Sequence, residues 1–294
     1  ASVGTLHVRP ILDMRRDGAQ LYDRDQQRRA IGTDRDHGAM TIDRAGQLHP
    51  GRYVQGLIDM AEARGAVLCD NIRVTGIERQ GTDWQVRAGD VAIRCDKVLI
   101  ATNGYSDGLN PWVRRRVIPA ASYIVVTEEL PEGMIDTLLP EGRTAVDSRR
   151  LLSYFRPTPD RKRTLFGGRA SLRIRDASEL ATELAARLHA VFPETIGIPI
   201  RYAWSGQIAF TFDLLPHLGE REGIVYALGC NGSGVAMQSY LGHMAGQAMA
   251  GGERSAFWNL GFPTMPFYRE KAWFLPMMTG WYKLRDQIER VTGR

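Results

Sequence analysis

The stretch "GIVYALGCNGSGVAMQSYLGHMAGQAMA" (residues 223–250) constrains the fold most, because a glycine-rich loop joins an apolar run to a helical pattern. The apolar run favours a buried strand, and the residues after the loop predict a helix from about Val235 to about Ala250. The first amides of such a helix have no partner within the helix. They can therefore face an electron-rich group at the positive end of the helix dipole.

This loop resembles a dinucleotide-binding fingerprint, but the match fails. Counted from Gly232, the GxGxxG pattern requires glycine or alanine at position 237, where Met237 stands. The segment after the helix, "GGERSAFWNLGFP", is a loop and not the second strand that should end in an acidic residue. Two interpretations stay open: a cradle for a phosphate, carboxylate or flavin carbonyl, or a tight turn that needs glycine for a positive φ.

The rest of the chain predicts a mixed α/β protein. Residues 49–66 form a helical pattern whose apolar face holds Val54, Leu57, Ile58 and Ala61. Alternating segments between 73 and 95 precede the apolar run "KVLIAT", which indicates a meander leading into a buried strand. From 111 to about 201, strand-like segments surround one amphipathic helix, whose shared face holds Leu180, Leu184, Leu188 and Val191.

Composition and charge exclude several classes of protein. No apolar run approaches the roughly 18 residues that a membrane span needs. The net charge is +5, but only four of the 38 basic residues are lysines, and the basic clusters lack interleaved aromatics, so nucleic-acid binding is not expected. The three cysteines form no CxxC pair, which indicates neither a disulfide framework nor a zinc site, and we expect no metal. A cytoplasmic location fits these cysteines.

Four segments in order resemble one protein family: "GQLHPGRYVQGLIDMAEARGAVLCDNIRV", "DKVLIATNGYS", "YFRPTPDRKRTLFGG" followed by "YAWSGQIAFTFDLLPHLG", and "GIVYALGCNGSGVAMQSYLGHMAG". They resemble the FAD-dependent oxidoreductases of the D-amino-acid oxidase and glycine oxidase superfamily, in particular its gamma-glutamylputrescine oxidoreductase-like branch. The resemblance implies an α/β FAD-binding domain, Rossmann-like and incomplete at its N-terminus, over 1–110 and 204–294. An antiparallel α+β substrate domain at 111–203 would interrupt it.

The resemblance also implies roles for particular residues with FAD as the cofactor. The Val74 backbone would meet the adenine, although an ordinary strand residue is the alternative. Trp204 and Gly206 would flank the flavin ring. A turn would pass beside the ADP part of FAD, and it consists of Ala101, Thr102, Asn103 and Gly104. The amides of the loop would face the pyrimidine end of the flavin, and these belong to Gly229, Cys230, Asn231, Gly232, Ser233, Gly234, Val235, Ala236 and Met237.

The chemistry implied is oxidation of a C–N bond in a small-molecule amine or amino-acid-like substrate to an imine, which water hydrolyses. Relatives often have an arginine after the tryptophan–glycine segment that clamps a substrate carboxylate, whereas this chain has "GQIAF" with Gln207 nearby, which favours an amine without an α-carboxylate. Tyr154 and Arg156 alternate along a predicted strand, so they either line the substrate site or belong to a half-exposed sheet face. Ser233 replaces a histidine common in relatives, which removes one candidate for proton transfer.

Oxidases of the family often place a lysine over the flavin to activate oxygen. The only lysine nearby in this sequence is Lys162, in an apparent turn, so oxidase and dehydrogenase both stay open.

Relatives begin with a βαβ unit that carries GxGxxG, and these 294 residues contain no such unit. Three alternatives follow: a fragment of a longer oxidoreductase, a subunit whose partner chain supplies the unit, or a non-catalytic binding protein on the same fold. In the first two, apolar surface should be exposed where the unit would pack. Cys230 is expected to be a small residue packed in the turn, with covalent flavin attachment as the alternative.

Overall fold

The computed structural model describes residues 18–43, 45–149, 152–168, 176–269 and 272–292, and its secondary structure is mixed α/β as predicted. Residues 1–17 of the predicted first domain lie outside the described residues. The strands are β1 (Ala19–Asp23), β2 (Gly38–Ile42), β3 (Val74–Gln80), β4 (Asp83–Ala88), β5 (Val91–Cys95), β6 (Val98–Ile100), β7 (Ile118–Thr127), β8 (Ala145–Val146), β9 (Ser153–Pro157), β10 (Thr164–Gly168), β11 (Ile200–Phe210), β12 (His217–Arg221) and β13 (Ile224–Leu228). The α-helices are α1 (Pro50–Glu62), α2 (Pro111–Arg114), α3 (Met134–Leu138), α4 (Ala177–Val191), α5 (Gly234–Met249) and α6 (Leu275–Thr292).

The chain forms two compact units. The first contains the described parts of 1–49, 121–206 and 276–294, and the second contains 50–120 and 207–275. The three-part division expected from the sequence stays a prediction. Over the described ranges, none of the helices has the length and apolar content needed to cross a membrane.

The first unit has its core where α4 packs on an antiparallel sheet. This sheet has the order β11-β7-β10-β9-β8, and a separate β1-β2 hairpin accompanies it. The predicted apolar face of α4 is buried, with exposures between 0% and 4% for Leu180, Leu184, Leu188 and Val191. These side chains share one apolar cluster with Phe155 and Phe166 of the sheet, whose rings stack 5.6 Å apart. The predicted amphipathic helix is therefore confirmed.

The second unit contains two three-stranded sheets. The predicted meander is confirmed as the antiparallel sheet β3-β4-β5. The other sheet has the order β12-β13-β6, so the strands predicted at "KVLIAT" and "GIVYAL" are both present, and the structure shows in addition that they pair in parallel. Helix α5 covers one face of this sheet by packing Leu241 and Ala245 against Leu218, Val225 and Ala227.

Helix α1 forms where the sequence predicts it, but the second unit does not bury its apolar face. None of its residues is buried: on the predicted face, Val54 and Leu57 are 52% and 40% exposed, and Ile58 and Ala61 are half-buried. Leu99 is 37% exposed on β6, which is the edge strand of its sheet. Strands of parallel sheets are normally covered on both faces, so these apolar surfaces can accept further structure.

Leu184→Ala is expected to lower the free energy of unfolding by about 2–5 kcal/mol, because it leaves a cavity at a position that is 1% exposed. Urea denaturation followed by circular dichroism measures this change. The matched control is Thr182→Ala on the exposed side of the same helix, which should stay within about 0.5 kcal/mol of the wild type. Equal effects of the two variants would contradict the placement of α4.

Candidate functional site

The glycine-rich loop reverses the chain between β13 and α5 by means of positive backbone angles. Gly229, Asn231 and Gly232 have φ values of +86°, +48° and +98°. A Cβ atom at position 229 would lie 2.7 Å from Thr211 Cγ2 and 3.2 Å from the Leu215 carbonyl oxygen. Both the backbone angle and this close approach therefore require glycine at position 229.

Several amides of the predicted flavin-facing stretch already donate to acceptors within the second unit. The acceptors are the Asn103 side chain, the Ala209 carbonyl and two carbonyls of the stretch itself, and the donors are the amides of Gly229, Cys230, Asn231, Ser233 and Met237. Their N···O distances run from 2.8 to 3.4 Å. These amides hold the loop in its shape and are not free for a ligand.

The remaining four amides point to no acceptor among the described residues, and they belong to Gly232, Gly234, Val235 and Ala236. Three of them form the first turn of the 16-residue helix α5, where intrahelical partners do not exist. Ser233 stands at the N-cap position, yet its side chain makes no capping hydrogen bond. The positive end of α5 therefore presents free donors that fit a carbonyl oxygen or an anion.

Two asparagine side chains fasten the loop. Asn103 Oδ1 accepts from the amides of Gly229 and Cys230, and Asn103 Nδ2 donates to Cys230 Sγ at 3.3 Å. Asn231 Oδ1 accepts from the Thr211 amide at 3.0 Å, and Asn231 Nδ2 donates to the Gly229 carbonyl at 2.9 Å. Cys230 is 6% exposed, so it lies packed in the turn as expected.

The turn after β6 approaches the strand that carries Gln207. A Cβ atom at Gly104 would lie 3.0 Å from the backbone of Gln207, and the Gln207 amide donates to the Tyr105 hydroxyl at 3.2 Å. Within the second unit, the fold thus brings together three parts of the predicted site: the turn at Asn103 and Gly104, Gln207, and the glycine loop. Ala101, in the same turn, is exposed.

Val74 and Thr102 line the same cleft of the second unit. The cleft has a volume of about 180 Å³, and its walls are mainly apolar, with Ile77, Val98 and Ile100 among them. Trp204 and Gly206 lie on β11, where Trp204 is 43% exposed. The structure shows where these residues lie, and their predicted contacts with FAD stay a prediction.

Tyr154 and Arg156 lie on β9 in the first unit. Burial alternates along this strand: both side chains are half-buried, whereas Phe155 between them is 2% exposed, so the two share one face as expected. The Tyr154 hydroxyl hydrogen-bonds Ser122 Oγ at 2.8 Å, and the Arg156 guanidinium donates to the Leu48 carbonyl at 2.8 Å. Their role toward a substrate stays a prediction.

The second unit also contains a buried acid–base pair that the sequence did not single out, formed by Asp213 and His217. His217 is 1% exposed, and its Nε2 lies 3.1 Å from both carboxylate oxygens of Asp213. Burial opposes ionisation of Asp213, but hydrogen bonds from His217 and from the Leu215 amide outweigh it and lower the pKa of the Asp213 carboxyl. The only sequence signal is the i, i+4 spacing in "DLLPH", which is common by chance.

The chain is similar in sequence to known oxidoreductases. A family model described as FAD dependent oxidoreductase (DAO) matches residues 7–248. The chain is 29% identical over 276 residues to gamma-glutamylputrescine oxidoreductase of Escherichia coli, covering 92% of this chain and 64% of that protein. It is 27% identical over 253 residues to the probable oxidoreductase OrdL of Haemophilus influenzae, covering 84% of this chain and 58% of that protein.

A solved structure with a similar fold is glycine oxidase from Geobacillus kaustophilus, with a TM-score of 0.68 and 19% identity over 84% of this chain and 67% of that one. The chain thus spans about six tenths of the length of the curated relatives it matches.

Gly229→Ala is expected to destabilise the protein by about 1–3 kcal/mol, because alanine is strained at positive φ and its Cβ would collide with Thr211. Gly234→Ala is the control: its Cβ would meet Cys230 Cβ at 3.7 Å and Cys230 Sγ at 3.9 Å, both ordinary contacts, and the helix position favours alanine by up to about 1 kcal/mol. Urea unfolding of both variants checks this. A Gly229→Ala protein as stable as Gly234→Ala would contradict the described loop.

The lowered pKa of Asp213 predicts an acid-dependent contribution to stability. The contribution is fully present above the pKa of an unfolded aspartate, about 3.9, and is lost as the pH falls through the lower folded value. Wild type and Asp213→Asn should therefore differ in melting temperature near neutral pH and converge in acid. Asp90→Asn, at an exposed turn position, is the control. A difference that does not change with pH would contradict the prediction.

Proposed function

The chain belongs to the FAD dependent oxidoreductase family, and on that basis we propose that it oxidises a C–N bond of an amine or amino-acid-like substrate. The substrate carbon gives up a hydride and the nitrogen gives up a proton, so that an imine forms. Water then hydrolyses the imine to a carbonyl compound and a free amine or ammonia. FAD, when bound, would supply the electron sink for this hydride, and the electrons would leave to an external acceptor.

The four free amides at the start of α5 are the observation that carries this proposal. They fit the oxygen and nitrogen acceptors at the pyrimidine end of the flavin ring. Negative charge builds up at that end when the flavin is reduced, and a helix N-terminus stabilises such charge. Gly232 and Gly234 carry no Cβ atom, which favours a close approach of a ligand to the backbone at these two positions.

The ADP part of FAD would extend from the glycine loop along the second unit. The turn from Ala101 to Gly104 leads from the asparagine-fastened loop to the cleft lined by Val74 and Thr102. Apolar walls such as those of this cleft suit the faces of an adenine ring. Trp204 and Gly206 on β11 would flank the flavin, as the family resemblance implies.

We assign the substrate to amines that lack an α-carboxylate. Gln207 stands where a guanidinium would be needed for a bidentate carboxylate contact, and a glutamine cannot supply the same charge. Tyr154 and Arg156 would line the substrate site from β9. The name of the E. coli relative identifies γ-glutamylputrescine as its substrate, so an acylated diamine is a suitable test compound.

FAD binding by this chain would also need the GxGxxG unit, supplied either by a longer polypeptide or by a partner chain. The uncovered apolar face of α1 and the exposed Leu99 on the edge strand β6 support this requirement. A strand added beside β6 would extend the parallel sheet, and helices packed on it would cover both surfaces. The three cysteines are free, which suits a reducing cytoplasm.

The first test is an intact mass and a visible absorbance spectrum of the natively expressed protein, followed by anaerobic mixing with substrates. Bleaching of the flavin by an acylated diamine is expected to be faster than bleaching by an α-amino acid of equal length. Gln207→Arg should shift this preference toward the α-amino acid by about tenfold, the value of a hydrogen bond to a charged group. A native protein without flavin would overturn the proposal.

Trp112→Phe serves as a matched control, because Trp112 lies in an apolar cluster of the second unit that does not include Gln207. It should leave the ratio of the two bleaching rates unchanged. A protein that is reduced only by α-amino acids would retain the C–N oxidation but contradict the assigned substrate class.

A further inference from the structure

The Asn103 side chain is hydrogen-bonded to the glycine loop, although the family resemblance places this residue beside the ADP part of FAD. It follows β6 with φ of +45°. Its Oδ1 accepts hydrogen bonds from the amides of Gly229 and Cys230 at 3.1 and 3.4 Å, and from Gln238 Nε2 at 3.1 Å. Its Nδ2 donates to Cys230 Sγ at 3.3 Å. One side chain thus joins the end of β13, the loop and the second turn of α5.

These contacts bridge parts of the chain that are far apart in sequence. Asn103 and Cys230 are separated by 127 positions, and Cys230 is 6% exposed. Without the Asn103 oxygen, the amides of Gly229 and Cys230 would be left in a poorly solvated place without an acceptor. The loop could then rotate these amides toward water, which would also move the neighbouring amides of Gly232 and Gly234.

We infer that Asn103 is a positioning residue that fixes the flavin-facing loop and thereby sets how strongly the protein favours reduced over oxidised flavin. The flavin part of this inference rests on the proposed function. Asn103 does not itself compete for the ligand, because its oxygen and its amide nitrogen are both engaged with the loop and α5. Its contribution is to hold the free donors of the helix end in one arrangement before the ligand binds.

The properties of asparagine suggest variants that separate its contributions. Asn103→Gly tolerates the positive φ but removes every side-chain hydrogen bond. Asn103→Asp keeps the oxygen acceptor, loses the donation to Cys230 and adds a negative charge beside the loop. Asn259→Gly is the matched control: Asn259 has φ of +54°, and its Oδ1 accepts from the Glu220 amide at 2.8 Å, away from the loop.

The experiment uses the natively expressed full-length protein, and its first measurement is hydrogen–deuterium exchange of peptides covering 229–238. Asn103→Gly is expected to raise exchange in these peptides by about tenfold, since the amides of Gly229 and Cys230 lose their side-chain acceptor. Asn259→Gly should leave it unchanged, and Asn103→Asp should stay near the wild type. Unchanged exchange in Asn103→Gly would overturn the positioning role, whether or not flavin is bound.

The second measurement is the midpoint potential of the bound flavin. Asn103→Gly is expected to lower the preference for reduced over oxidised flavin about tenfold, which equals about 30 mV for a two-electron couple. Asn103→Asp should lower the potential as well, although its loop stays protected, because its charge opposes that of the reduced flavin. If Asn103→Gly does not fold, Asn103→Ser, whose shorter side chain lacks the amide nitrogen, takes its place in both measurements. A potential of this variant equal to that of Asn259→Gly would overturn the inference, whereas absence of flavin from the wild type would overturn the proposed function instead.

Discussion

Only five residues, 229–233, connect β13 to α5. The site depends on which backbone amides of this connection and of the helix end donate hydrogen bonds within the protein and which do not. Hydrogen bonds within the second unit engage some of them and fix the loop, while the amides at the helix end keep their donors. Free donors in a fixed arrangement cost nothing to reorganise when a ligand arrives. The same backbone therefore serves as a structural joint and, in the proposed function, would also be the surface that recognises the flavin.

The groups that support the loop come from separate parts of the second unit. Asn103 follows β6, and its Oδ1 accepts from the amides of Gly229 and Cys230, while Thr211 follows β11, and its amide donates to Asn231 Oδ1. Asn103 reaches the loop because β6 and β13 are neighbours in one sheet. The site is thus a product of sheet topology, and it can form only after these strands have paired. In a parallel sheet, such long-range pairing has a high entropic cost and is slow to form.

The sequence predicted the long periodic elements well, because the spacing of apolar residues along a segment reflects the helix or strand that this segment forms. Helix α4 and the meander β3-β4-β5 are confirmed for this reason, and four sequence segments together identified the family and FAD. Contacts between residues that are far apart in sequence produce no such spacing pattern. Neither the acceptor for the Gly229 amide nor the exposure of Val54 on α1 follows from local pattern, since both depend on what lies beside the element in space. The pairing of Asp213 with a buried His217 was missed for the same reason.

Tyr154 and Gly167 stand opposite each other on β9 and β10, and the space that a Cβ atom would take at Gly167 is filled by the tyrosine ring. An aromatic ring laid over a strand glycine compensates for the side chain that the glycine lacks. The two positions should therefore be inherited together. A lineage that replaces the tyrosine with a smaller residue would gain from a larger residue at 167, because the space above the strand would otherwise be empty.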